Sequence, residues 1–222
     1  MRKQQIPQSA ERWELFVRRA HELLEAGYQK MSSPAYNGME EPEITGELAL
    51  QIEKVLREKK SPWQRPWSVH EDEPENQEHL PVATRKKGKR RKRPDIKLRF
   101  SGQRENLYLR FEAKLLTDSG AYEDLIGSDP KRHALARFLQ RRYGRDDDAG
   151  GLLGYVQVGT EQEHSHRVQQ AFSNEKRYRI TVDGAWTRTS WKRGPTHCFR
   201  TKHWRDGTKK SIAIFHTYLL FR

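Results

Sequence analysis

Two segments near the N-terminus place apolar residues at the spacing of an α-helix. The first covers residues 11–26, with Gly27 as its expected C-cap. The second covers residues 45–59, with Thr45 expected at the N-cap. The first apolar stripe is formed by Trp13, Phe16, Val17, Ala20, Leu23 and Leu24, and the second by Leu48, Ile52, Val55 and Leu56. The spacing therefore predicts two helices that pack against a core.

From residue 94 onward the pattern becomes richer in β-strands. Residues 94–100 and 107–116 alternate between apolar and polar positions, as expected of strands covered on one side. A helix is expected over residues 130–143, with Asp129 as its N-cap. The remaining predicted elements are a buried strand at 151–159, a helix at 161–172 and strands near 177–182, 196–203 and 212–221. This order predicts one α/β domain in which a mixed β-sheet is flanked by helices.

Residues 61–93 interrupt this pattern with two runs of charge. An acidic run at 71–79 is followed by a basic run at 85–93, and neither can bury enough apolar surface to order itself. We predict a flexible insertion here. A contact with nucleic-acid phosphates and a solvated loop without a role are both open interpretations of the basic run. Its candidate phosphate-binding residues are Arg85, Lys86, Lys87, Lys89, Arg90 and Arg91.

The charge balance of the whole chain favours a polyanionic partner. The chain has 43 lysine and arginine residues against 30 aspartate and glutamate residues, which gives a formal net charge of +13. Such an excess raises the local concentration of a polyanion and releases its counterions on binding. Charge alone does not separate DNA from RNA, or either of them from an acidic membrane.

Cysteine content and the N-terminal sequence restrict the class of protein further. The 222-residue chain has one cysteine, Cys198, so neither an internal disulfide nor a cluster of thiolate ligands for zinc can form. The N-terminal sequence has no apolar signal core, and no stretch approaches the length of a membrane span. We therefore expect a cytoplasmic protein with no membrane partner.

The strands at 94–100 and 107–116 are expected to form a β-hairpin joined by a turn at 101–106. Three chemically active side chains lie on the polar face of this hairpin. If its turn is centred in the middle of residues 101–106, Asp95 lies directly opposite Glu112. Directly opposed residues have Cβ atoms roughly 5 Å apart, so the two carboxylates repel each other unless a cation lies between them. Mg²⁺ prefers such hard oxygen ligands. Lys114 projects on the same side and can reach a water bound to the metal, whereas a slip of one residue would turn this face away.

These residues resemble the signature of the PD-(D/E)XK nuclease superfamily, which has the restriction-endonuclease-like fold. The resemblance lies in Pro94-Asp95 followed at a moderate distance by Glu112-Ala113-Lys114. It implies that the aspartate and the glutamate hold Mg²⁺, with Mn²⁺ as a substitute, and that the lysine serves the attacking water. It also implies a supporting acidic residue from a preceding helix, for which Glu47 is the best match and Glu43 a weaker one.

The resemblance covers approximately residues 43–221. The helix and strand at 133–159 are similar to those that follow the core hairpin in bacterial members of the superfamily. Some of those members belong to restriction or phage-defence systems. The resemblance therefore implies a bacterial defence or restriction context for this chain.

The resulting expectation is a metal-dependent nuclease that hydrolyses phosphodiester bonds in nucleic acid, with DNA as the expected substrate. Residues 1–42 would be an N-terminal helical extension of a nuclease domain at 43–222. Further candidates for phosphate contact are Arg137, on the helix expected at 130–143, and His203 and Arg205, on a later predicted strand.

Three alternatives remain open. The charged side chains of the hairpin could form a structural salt-bridge network on a solvated sheet face. The chain could bind nucleic acid without cutting it, although a protein that only binds has no physical reason to hold this set of residues in one register. It could also be a nuclease subunit that acts only as a homodimer or with a protein partner in a defence complex, which fits its small size.

Overall fold

A computed structural model of the protein describes most of the chain. The described residues are 8–31, 33–58, 61–71, 95–102, 106–118, 120–129, 132–141, 147–174, 178 and 180–222. Among them, seven strands form a single sheet. The strands are β1 (Trp67–Glu71), β2 (Ile96–Ser101), β3 (Asn106–Leu116), β4 (Ala149–Val156), β5 (Thr187–Arg188), β6 (Cys198–Trp204) and β7 (Ser211–Leu220).

The direction of pairing changes twice across this sheet. The strand order is β1-β2-β3-β4-β7-β6-β5. β1, β2 and β3 are antiparallel, the central strands β3, β4 and β7 are parallel, and β7, β6 and β5 are again antiparallel. The predicted mixed sheet is therefore confirmed.

Helices cover both faces of the sheet. The α-helices of the described part are α1 (Gln8–Tyr28), α2 (Glu41–Glu58), α3 (Tyr122–Ile126), α4 (Ala134–Leu139) and α5 (Glu161–Asn174). α1 and α2 share one hydrophobic core with Phe111 and Leu153 of the sheet. α3, α4 and α5 share a second core with Leu152 and Ile214, on the opposite face. None of these helices has the combination of length and apolar character that a membrane crossing requires.

The N-terminal helix α1, which lies in the predicted helical extension at residues 1–42, packs as a layer on the sheet. Phe16 stacks on Trp67 of β1, with ring centroids 5.1 Å apart, and His21 meets the ring of Phe111 edge-on at 5.5 Å. The apolar stripe predicted for this helix is buried from Phe16 to Leu24. α1 therefore contributes to the same core that supports β1 and β3.

Gly27 allows close packing of α1 on α2 and does not serve as the predicted C-cap. α1 continues to Tyr28, so the glycine lies inside the helix. A Cβ atom at position 27 would lie 2.5 Å from Cγ1 of Ile52 and 3.1 Å from its backbone nitrogen. Only a residue without a side chain permits this approach of the two helices.

α2 begins at Glu41, before the predicted start at Thr45. The amide of Glu40 donates to Oε2 of Glu43 at 2.9 Å, which stabilises the first turn. Thr45 therefore lies inside the helix, where it is buried and its Oγ1 is 3.1 Å from the hydroxyl of Tyr155. The predicted core face of α2, formed by Leu48, Ile52, Val55 and Leu56, is confirmed.

Residues 61–71 form a 3-10 turn and strand β1, so the prediction of a flexible insertion is wrong for them. β1 pairs with β2, from Trp67 opposite Phe100 to Glu71 opposite Ile96. The remainder of the predicted insertion falls within residues 72–94, outside the described residues. The candidate phosphate-binding residues located there are Arg85, Lys86, Lys87, Lys89, Arg90 and Arg91.

The β2–β3 hairpin has the predicted register. Leu98 lies opposite Leu109, and Ile96 lies opposite Phe111, so the next position along each strand brings Asp95 towards Glu112. The predicted cover on one side only is wrong for the middle of the hairpin. The polar face is buried there as well, at Lys97, Arg110 and Glu112.

The helix predicted over residues 130–143 is much shorter in the structure. α4 covers Ala134–Leu139, and its N-cap position is His133 rather than Asp129. Its predicted inward residues, Leu135, Phe138 and Leu139, are buried as expected. The preceding helix α3 was not predicted.

The later strands differ in how well the sequence predicts them. β4 is buried along its whole length, as the apolar run predicts. The strands predicted near 196–203 and 212–221 correspond to β6 and β7. In the stretch predicted as a strand near 177–182, the described residues form only an isolated bridge between Ile180 and His203.

We predict that Gly27→Ala destabilises the fold. The added methyl group would collide with Ile52, including its backbone, and overpacking of this kind costs about 1–3 kcal/mol of unfolding free energy. Gly46→Ala is the matched control, because its added Cβ would meet only the carboxylate end of Glu71, at 3.3 Å. Urea denaturation should give a lower midpoint for Gly27→Ala and an unchanged or higher midpoint for Gly46→Ala. Equal midpoints for the two variants would contradict the assigned packing role.

Candidate functional site

The carboxylate of Asp95 takes the place of a strand partner at the end of β3. The paired part of β2 begins at Ile96, opposite Phe111. Immediately before it, Oδ2 of Asp95 accepts a hydrogen bond from the amide of Ala113 at 2.6 Å. This bond fixes Asp95 against the middle residue of the Glu112-Ala113-Lys114 triplet. The aspartate is therefore held by the backbone and not only by the side chains around it.

Glu112 is a buried carboxylate in which one oxygen is hydrogen-bonded and the other is not. Its side chain is 0% exposed, and Oε2 accepts a charge-assisted hydrogen bond from Arg137 of α4. Within the described part of the chain, Oε1 is buried and has no hydrogen-bond partner. A buried carboxylate oxygen without a partner is costly, and it is a natural ligand for a cation.

The carboxyl groups of Asp95 and Glu112 each make it less favourable for the other to lose its proton. Burial, and then the charge of Asp95, raise the pKa of Glu112 from its ordinary value to about 8, against the opposing effects of Arg137 and Lys114. Burial also raises the pKa of Asp95, although the amide of Ala113 and the nearby cations oppose the rise. The pair therefore holds a proton near neutral pH unless a further positive charge is present.

Lys114 is held by a glutamate of the preceding helix. Its Nζ lies 3.0 Å from Oε1 and 3.1 Å from Oε2 of Glu41, in the first turn of α2. Burial raises the pKa of Glu41, while the charge of Lys114 lowers it. The supporting acidic residue at this site is therefore Glu41.

Glu47, the predicted supporting residue, does not join this group. Its Oε1 accepts a hydrogen bond from Gln51 at 2.5 Å, one turn further along α2. Six residues separate Glu41 from Glu47, and a helix turns about 100° per residue, so the two side chains leave α2 on different sides. The prediction of Glu47 as a metal-supporting residue is corrected accordingly.

A cleft of about 430 Å³ opens beside Lys114, at the end of β3. Among the described residues that line it, carboxylates outnumber cations, with Glu41, Asp118, Glu123 and Asp124 against Lys114 and Arg132. Such a lining repels a bare phosphate and attracts cations. A phosphate in this cleft would therefore need a cation as a companion.

The predicted phosphate contacts of His203 and Arg205 are wrong, because both side chains are buried. Nδ1 of His203 is 2.7 Å from the carbonyl oxygen of Tyr178, and burial lowers its pKa to about 4, so the ring is neutral. Nη2 of Arg205 donates to the carbonyl oxygen of Asp147 at 2.6 Å. The guanidinium of Arg137 bonds to Glu112, and its contact with phosphate stays a prediction.

The donor set suits a divalent cation only in part. In the part of the chain that the structure describes, no three histidine, cysteine, aspartate or glutamate side chains are grouped so as to hold a metal ion. Mg²⁺ is nevertheless commonly bound by one or two carboxylates, with waters and substrate phosphates completing its shell. The neighbouring carboxylates of Asp95 and Glu112, with the buried and unpartnered Oε1 of Glu112, fit that mode of binding.

Comparison with models of protein families found no match. Comparisons with curated proteins and with solved structures also found no significant match. The function is therefore inferred from the geometry, burial and charges of the site.

Two residues of the site, Glu41 and Arg137, were not predicted in these roles. The sequence Glu40-Glu41-Pro42-Glu43 has the acidic residues and the proline that favour a helix N-terminus. That signal could have moved the predicted start of α2 to include Glu41. Arg137 offers no comparable signal, because its role depends on where a six-residue helix packs on the sheet.

We predict that Glu112→Gln removes a pH-dependent loss of stability. In the folded protein Glu112 keeps its proton up to about pH 8, whereas the unfolded chain releases it near the ordinary pKa of 4.5. The folded state binds more protons between these values, so its free energy of unfolding falls by about 1.4 kcal/mol per pH unit as the pH rises through that window. The variant should therefore be more stable than wild type at about pH 8.5 and similar to it at about pH 4.5.

This difference can be measured by urea denaturation in EDTA across the same pH range. Glu53→Gln is the control, because Glu53 is an exposed glutamate of α2 that pairs with Arg57. An identical pH dependence in wild type and Glu112→Gln would contradict the assignment of a shared proton to this site.

Proposed function

We propose that the protein is a metal-dependent nuclease of the restriction-endonuclease-like fold that hydrolyses phosphodiester bonds in nucleic acid, with DNA as the expected substrate. The observation that carries the proposal is the meeting of Asp95, Glu112 and Lys114 near one end of β3, where one buried carboxylate oxygen of Glu112 has no hydrogen-bond partner among the described residues. The resemblance to PD-(D/E)XK nucleases suggests bacterial restriction or phage defence as the setting.

Asp95 and Glu112 would hold the cation, Mg²⁺ or Mn²⁺. When bound, such an ion neutralises charge on the scissile phosphate and lowers the pKa of a coordinated water. The two carboxylates are suited to this task because their mutual repulsion and burial, which raise the pKa of Glu112, are relieved by an added positive charge.

Lys114 would orient the attacking water and stabilise charge on the phosphate. An ammonium group has three N–H donors, and Glu41 engages Nζ through both of its oxygens. A remaining donor can point into the cleft that Lys114 lines. Glu41 is in this proposal a positioning residue that holds the ammonium at the cleft wall.

The net charge supports a nucleic acid as the partner, and the cleft supports a role for the metal. A formal charge of +13 attracts a polyanion to the protein as a whole. The carboxylates of the cleft oppose the final approach of a phosphate. A divalent cation resolves this conflict, because it binds carboxylates and phosphate oxygens together.

A second candidate is a protein of the same fold that binds nucleic acid without cutting it, or that cuts only within a larger complex. The ion pairs of Glu112 with Arg137 and of Lys114 with Glu41 favour it, because they already neutralise much of the site. The lack of a three-residue metal-ligand group among the described residues points the same way.

We predict that cleavage of plasmid, single-stranded DNA or RNA requires Mg²⁺ or Mn²⁺ and is abolished by Asp95→Asn. Lys114→Met should lower kcat by roughly 10²-fold, the usual contribution of a positioned proton-transfer group. Glu41→Gln should cause a smaller loss, because it acts through Lys114. Glu47→Gln is its matched control on the same helix and should cut at the wild-type rate.

The outcomes separate the candidates. Equal cutting by wild type and Asp95→Asn would refute the assigned site. If none of the proteins cuts and all bind DNA with the same affinity, the non-cleaving protein is favoured. Cutting that appears only after addition of a partner protein would favour the subunit of a larger complex.

A further inference from the structure

Arg137 is the cation that now balances the buried carboxylate of Glu112. Its guanidinium bonds to Oε2, and its side chain is 21% exposed, whereas that of Glu112 is 0% exposed. Its charge also lowers the pKa of Asp95. Arg137 therefore compensates the carboxylate pair from the side that faces solvent.

A divalent cation on the same carboxylates would compete with Arg137. Both would neutralise the same negative charge, and two cations within a few ångströms of each other repel strongly where burial keeps the dielectric constant low. Lys114 pairs with Glu41 rather than with Glu112, so Arg137 is the cation that bonds directly to Glu112. Arrival of the metal ion therefore weakens one specific contact, the bond between Arg137 and Glu112.

The backbone of α4 can stay in place while the arginine moves. Leu135, Phe138 and Leu139 bury the helix against the sheet, so the helix itself is anchored. The side chain of Arg137 has a long, flexible stem that can carry the guanidinium away by rotamer changes alone.

We propose that Arg137 is a displaceable counter-ion: it holds Glu112 in position until a divalent cation binds, and is then released towards the phosphates of the substrate. This inference rests on the proposed metal site. Arg137 is in this sense a positioning residue, since it acts through Glu112. The device keeps a buried carboxylate pair compatible with folding before a metal ion binds, and would then turn the guanidinium towards the reacting phosphate.

Labelling of arginine by phenylglyoxal, read by mass spectrometry on the full-length protein, tests this release without any measurement of activity. Arg137 should react slowly in EDTA and about tenfold faster in Mg²⁺, the factor by which one charge-assisted hydrogen bond favours the paired form. Arg193, an exposed arginine that does not line the cleft, is the internal control and should react equally in both conditions. A purely structural arginine would not respond to the metal.

Two variants test whether the reactivity of Arg137 depends on Glu112 and on the metal site. Glu112→Gln should make Arg137 faster to react than in wild type even in EDTA, because the carboxyl group that holds its guanidinium is replaced by an amide, which is a weaker partner. Asp95→Asn should keep Arg137 slow in Mg²⁺, because the metal no longer binds. Circular dichroism confirms that each variant is folded before it is labelled.

Mn²⁺ binding, measured from the electron paramagnetic resonance of the free ion, separates failure of this inference from failure of the metal site. If Mn²⁺ binds in a manner that depends on Asp95 while labelling of Arg137 is unchanged by metal, displacement is refuted and the metal site stands. If Arg137 is already fast in wild type in EDTA, displacement is also refuted. If Mn²⁺ does not bind, both proposals fall.

Discussion

The pairing of β2 with β3 in one register determines which side chains meet at the end of the sheet. Ile96 opposite Phe111 places Asp95 at the amide of Ala113, and thereby beside Glu112. A shift by one residue would turn Glu112 towards the core that contains α1 and α2, and would bring Ala113 to the polar face. This register determines which face of β3 packs under α1 and α2. It also determines where the carboxylate pair and Lys114 lie.

Burial then gives these residues their chemical character. A carboxylate on an open sheet face would be ionised and solvated, whereas Glu112 lies under α4 and keeps a proton to about pH 8. The charged side chains around it form two separate contacts, Arg137 with Glu112 and Lys114 with Glu41. The region is thus held together by these two contacts, and the carboxylate pair, which keeps a proton near neutral pH, is suited to accept one more positive charge.

The hairpin could be predicted from the sequence because its strands alternate cleanly and a short turn fixes their register. β1 could not, since its five residues adjoin an acidic run that suggests disorder. The pattern predicted His203 and Arg205 on one side of a strand but carried no information that both side chains are buried, with Phe172 of α5 against the ring of His203. Glu41 was missed because the predicted helix began at Thr45. Tertiary packing, which local patterns do not contain, decided each of these cases.

Ala113, between the two charged residues of the triplet, is fully buried in the core beneath α1 and α2. Its amide holds Asp95, and its neighbours in the chain carry the glutamate and the lysine. A bulkier side chain at this position would push β3 away from the helices and carry the whole site with it. In a map of tolerated substitutions, the sensitive positions should therefore extend through the sheet to α1 and α2. Natural variation at this candidate site would therefore be restrained from the far side of the sheet as well.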